Sequence, residues 1–118
     1  MDTETMRRIL AERAMGWEFN VASRYWKWRE ANGARVSMHK SQWQPDRNWQ
    51  QCGLVIEAMR ERGWTWHVTA FADGSTTVRL RSNGAVTGEC WAVDERLPER
   101  EARMLAAARA LEANDGEP

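Results

Sequence analysis

At 118 residues the chain has the length of one domain and leaves little room for a second. Hydrophobic residues make up 42% and charged residues 29%, a globular rather than a disordered balance. Seventeen basic side chains against 17 acidic ones leave no net charge, which argues against general duplex nucleic-acid binding, because that needs a surplus of Lys and Arg to displace counterions.

In chain order, Met6, Ile9, Leu10 and Ala14 recur at helical spacing and predict a helix over 2–15, with Gly16 as its stop. A long irregular stretch follows over 17–45. Within it Tyr25-Trp26-Lys27-Trp28-Arg29 alternates aromatic and basic residues with period two, the pattern of a half-exposed strand. Asn32-Gly33 offers a tight turn into a weaker second strand at Arg35–His39. Pro45-Asp46 is read as the opening of the next helix, with Asp46 as cap and Trp49, Cys52, Ile56 and Met59 on its inward face. Gly63 suits the left-handed position that ends it.

Three strands then follow, Trp64 to Phe71, Thr76 to Arg81, and about Val86 to Val93, joined by Asp73-Gly74 and Asn83-Gly84. Pro98 sets up a last helix over 98–112 with Met104, Leu105, Ala108 and Leu111 inward, and Asn114 to Pro118 reads as a frayed tail. The fold class is therefore α+β: a small antiparallel sheet, a three-stranded meander plus an extra hairpin, flanked by about three helices.

Charge is neutral only in sum. Residues 24–47 carry six basic side chains against two acidic ones, and residues 89–118 carry eight acidic against four basic. No apolar run approaches the ~20 residues that span a bilayer, so no membrane is expected as a partner. The acidic start Met1-Asp2-Thr3-Glu4 lacks the apolar segment of a secretory signal. Cys52 and Cys90 make no disulfide framework and read as buried small hydrophobes in a reducing cytoplasm.

Three pieces frame nearly the whole chain. They are Ala11-Glu12-Arg13-Ala14-Met15-Gly16-Trp17, then Trp43-x-Pro45 with the run Val55 to Trp64, then Leu97-Pro98 before the Ala-rich 102–110. Together they resemble the phage ABA sandwich domain family of small bacteriophage and prophage proteins, whose opening reads Ala-x-x-Val-Met-Gly-Trp. Residues 18–42 depart from it as a longer, Trp-rich and basic insertion. The resemblance implies one such domain over 1–118, a viral origin, the cytoplasm of a bacterial host and no catalytic motif. The helix–strands–helix order also describes double-stranded RNA-binding domains, but Glu99-Arg100-Glu101 stands where those place basic residues.

Eight tryptophans stand against one tyrosine and two phenylalanines. Trp49, Trp64, Trp66 and Trp91 are assigned to the core. Trp26 and Trp28 share one strand face, with Lys27 and Arg29 on the other and Arg24 and Arg35 close by. Indoles stack on nucleobases and guanidinium groups grip phosphate, so Arg24, Trp26, Lys27, Trp28, Arg29 and Arg35 form the expected ligand-binding set. The same residues suit a protein hot spot. The plain alternative is a solvated hairpin that packs its Trp face on the domain.

Cys52, Cys90, His39 and His67 lack metal-ligand spacing, and no serine sits in a nucleophile motif. No metal, cofactor or catalysis is expected. The expectation is a non-enzymatic phage accessory protein that counters host defence by capturing a small anionic, nucleotide-like immune signal, with a homodimer as one way to complete a shallow site. The alternatives are direct inhibition of a host defence protein and a structural or regulatory role.

Overall fold

Asp2 starts the first helix, α1 (Thr3–Ile9), by accepting the Thr5 N–H on its carboxylate at 2.6 Å, a bond that holds this carboxyl below its usual range. These are the coordinates of a computed structural model, which describes residues 1–82 and 90–113, with Cys90 and Trp91 through their backbone alone. The Asn83-Gly84 turn, the expected strand start near Val86, the side chains of Cys90 and Trp91, and the 114–118 tail lie outside the described residues.

The expected helix over 2–15 changes character halfway. From Leu10 to Ala14 it widens into a π-helical turn in which Met15 N–H reaches back to the Leu10 carbonyl at 3.1 Å. Gly16, at φ 71°, ends the turn in the left-handed region. The wider turn buries Leu10, Ala11 and Ala14 together and delivers Trp17 to the core.

Residues 18–39 form a complete small sheet rather than one hairpin. Strands β1 (Glu18–Asn20), β2 (Tyr25–Arg29) and β3 (Arg35–His39) pair antiparallel in that order, with Phe19 opposite Trp26 and Trp28 opposite Val36. The expected Asn32-Gly33 turn closes β2 on β3: Asn32 Oδ1 accepts the Ala34 N–H at 2.9 Å, and Gly33 takes φ 86°.

The second helix, α2 (Trp49–Glu61), opens later than the Pro45-Asp46 reading. Asn48 caps it, accepting the Gln51 N–H at 3.1 Å, while Asp46 turns inward and pairs with Arg7 at 2.7 Å. The later start puts Trp49 at the first helical position. There it is 52% exposed, with the Arg100 guanidinium 5.2 Å from its ring centre, so it is not the core residue expected. Cys52, Val55 and Met59 make the buried face instead, and Ile56 is half-buried. Burial pushes the Cys52 thiol up from 9.0 to about 11, so it behaves as a packed hydrophobe.

The meander is as expected in order and pairing. Strands β4 (Trp64–Ala70), β5 (Thr76–Ser82) and β6 (Cys90–Leu97) form a second antiparallel sheet with β5 in the centre. A register shift between Thr76 and Val78 bulges β6 around Asp94–Arg96. Trp64 is buried, and Trp66 is half-buried with its indole N–H on the Ile56 carbonyl at 3.4 Å.

The last described helix, α3 (Glu99–Ala113), packs on β5, β6, α1, α2 and the π-turn. Surrounded this way, it buries Ala102, Ala106, Ala107 and Ala110 as well as Met104, Ala108 and Leu111, a wider face than the expected stripe, whereas Leu105 is half-buried. One apolar cluster joins both sheets, holding Trp26 and Trp43 from one end and Trp64, Leu80 and Met104 from the other. No helix among the described residues is long and apolar enough to cross a membrane.

Candidate anion-binding groove

Strand β2 outlasts its neighbour. β1 is three residues long and its ladder reaches only to Glu18 opposite Lys27, so Trp28 and Arg29 run on with no strand on that side among the described residues. The segment leading into β1 turns away at Gly16. What remains is a groove of about 620 Å³, within the range of small-ligand sites, lined by Trp17, Lys27, Trp28, Arg29 and Arg35 with Glu18 at its edge.

Its aromatic wall is braced from behind. The Trp17 and Trp28 rings stack at 4.1 Å with 13° between their planes, and Trp43 meets Trp17 edge-on at 4.7 Å. Such pairs add about 0.5–1.5 kcal/mol beyond area burial, so Trp28 is held as a fixed, half-buried plate. On the other face of the sheet stand three exposed cations. Lys27 faces Ser37 across the ladder, and Arg29 faces Arg35 directly. Neither Arg29 nor Arg35 has an ion pair among the described residues. Arg29 spends one N–H on the Gly33 carbonyl at 3.4 Å, which leans its guanidinium toward the hairpin turn.

Four of the six expected ligand-binding residues therefore meet here: Lys27, Trp28, Arg29 and Arg35. The other two do not. Trp26 is 3% exposed and packs on Phe19 at 4.8 Å, so its ring belongs to the core. Arg24 sits at the far end of β2 beside a second cleft of about 850 Å³, with Arg8, Lys40 and Glu4. Lys40 is already paired with Glu4, and Arg7 of the same cleft is paired with Asp46. Arg24 takes the left-handed conformation at φ 63°, its N–H donating to the Asn20 carbonyl at 2.8 Å and its carbonyl accepting the Lys40 N–H at 2.9 Å. Two backbone bonds of the turn hold that conformation, so the strain has a structural reason.

Sequence reasoning missed Glu18 and Ser37 as groove residues. Nothing in Glu18-Phe19-Asn20 carries a readable period, since three residues cannot display one. A serine and a histidine do meet in the second cleft, His39 Nδ1 to Ser41 Oγ at 2.8 Å, but the same nitrogen accepts the Ser41 N–H at 3.1 Å. The ring therefore caps the short 3₁₀ turn Lys40–Gln42, and no carboxylate bonds to it among the described residues. Nor do three His, Cys, Asp or Glu side chains gather as a metal set among those residues.

Comparisons with protein-family models, curated proteins and solved structures find no match to this chain.

Proposed function

We propose that the chain is a stoichiometric binding protein that captures a small anionic, nucleotide-like ligand in the groove at the open end of β2. One observation carries the reading: at the open edge of β2, Lys27, Arg29 and Arg35 from one face of the sheet and Trp28, stacked on Trp17, from the other line the same groove. A planar ring against Trp28 whose charged substituent reaches round the open edge to these cations would combine stacking with charge-assisted bonds. The polar groups of the groove are cations, one hydroxyl and one carboxylate, a set suited to holding an anion rather than to nucleophilic turnover. In the viral setting that the resemblance to the phage family implies, such capture would withdraw a signalling nucleotide from the host.

The test is native mass spectrometry of protein purified from bacterial cells, followed by calorimetric titration with nucleoside phosphates. A retained mass of nucleotide size, or binding that Arg29→Gln weakens at least tenfold, is the expected result. No retained ligand and no heat with any nucleotide would refute the reading.

A second reading draws on a different observation. Trp49 is half exposed with Arg100 beside it, and Trp and Arg are the residue types that anchor protein interfaces. On that reading the start of α2 docks a host defence protein. A host protein that co-purifies with the wild type and is lost with Trp49→Ala would support it.

A further inference from the structure

We infer that the groove is built for a terminal phosphate, a phosphomonoester dianion, rather than for the bridging phosphate of a diester. The inference rests on the binding reading above and adds the class of ligand.

Hydrogen-bond parity along β2 supplies the first argument. The Lys40 N–H bonds the Arg24 carbonyl and the Glu30 N–H bonds the Ala34 carbonyl, at 2.9 Å each. Even-numbered residues of β2 therefore turn their backbone groups toward β3, and odd-numbered ones turn theirs toward β1. Lys27 meets Glu18 there, but Arg29 lies beyond the end of β1. Its N–H and C=O are thus turned to the open edge of β2, where the N–H has no backbone partner among the described residues.

The same parity makes Arg29 and Arg35 a non-hydrogen-bonded pair, the type in which opposite side chains come closest. Like charges directly opposite each other destabilise a sheet. An anion between them removes that cost, and guanidinium forks can each take two oxygens.

Charge and oxygen count then select the ligand. Lys27, Arg29 and Arg35 against Glu18 leave the groove with two net positive charges. A monoester carries nearly two negative charges at pH 7 and three terminal oxygens, enough for two guanidinium groups and the Arg29 N–H. A diester carries one charge and two free oxygens, and leaves one donor group unanswered.

The experiment is a proton–nitrogen NMR titration of the full chain with phenyl phosphate and, separately, its diester methyl phenyl phosphate. The two share a ring and differ by one ionisable oxygen. The Arg29 amide is expected to move with both and to saturate about tenfold earlier with the monoester, a gap that shrinks at pH 5, below the second phosphate pKa of about 6. Arg35→Gln, an exposed change whose spectrum also reports folding, should erase the preference. If both probes move the Arg29 amide with equal affinity, or Arg35→Gln keeps the preference, the monoester inference falls and the binding reading stands. If neither moves the groove amides at millimolar concentrations, both fall.

Discussion

The Asp46 carboxylate, 5% exposed, takes two N–H groups from Arg7 at 2.7 and 3.0 Å, and the Trp43 indole donates to the Arg7 carbonyl at 2.9 Å. Together these tie the loop before α2 onto α1 and set the back wall against which Trp17 and Trp28 stack. Removing the carboxylate leaves a largely buried guanidinium without its partner. Asp46→Ala should cost about 1–3 kcal/mol, the lower end reflecting the partial exposure of Arg7, with Asp46→Asn recovering part of it. Urea unfolding of the three proteins checks this. The sequence could not assign the role, because an Asp after Pro reads locally as a cap, and its partner lies 39 residues away. The cationic half of the groove was legible, since alternation along Tyr25–Arg29 already separates Lys27 and Arg29 from the indoles. What alternation cannot tell is which indole keeps an open edge: Trp26 and Trp28 share one face, and only the core beneath distinguishes them.

At the scale of elements, two glycines with empty surroundings should behave oppositely. Gly16 ends the π-turn at φ 71°, and Gly53 lies inside α2 with ordinary helical backbone; an added Cβ would meet nothing within 4 Å at either position. Gly16→Ala pays only for the left-handed backbone and should destabilise by about 1 kcal/mol. Gly53→Ala removes a poor helix former and should stabilise by about 0.5–1 kcal/mol. Thermal unfolding followed by circular dichroism distinguishes the two signs. The helices and the meander were readable because their periods are long enough to repeat. The π-turn was not: Leu10, Ala11 and Ala14 fit α-helical spacing as well, and the widening answers to packing against α3 and the need to seat Trp17. The β1 strand escaped for lack of length, and with it the reason β2 has an open end.

Across the whole molecule, one apolar cluster reaches both sheets, holding Leu10, Trp26, Trp43, Trp64, Leu80 and Met104, beside a smaller one of Val78, Val93, Ala102 and Ala106. A common core predicts cooperative loss of both sheets. Tryptophan emission, with Trp26 and Trp28 in one sheet and Trp64 and Trp66 in the other, and far-ultraviolet circular dichroism should each give one transition with the same midpoint in urea; two transitions would show that the sheets unfold independently. The α+β class was legible at this scale because each hydrophobic period announced its own element. The shared core was not, because it depends on which elements α3 brings together.

That helix comes after every other described element in sequence, yet it touches both sheet layers' supporting helices, the π-turn and two strands of the meander. A growing chain can make all of the earlier elements and still have nothing to put where Met104 and the alanines will go. The buried faces of β5, α1 and α2 then stay uncovered until residues 99–113 emerge from the ribosome. The interval during which a nascent chain invites chaperones and proteases is thus set by its final described helix, and an early stop before residue 99 yields a species the quality-control machinery can recognise.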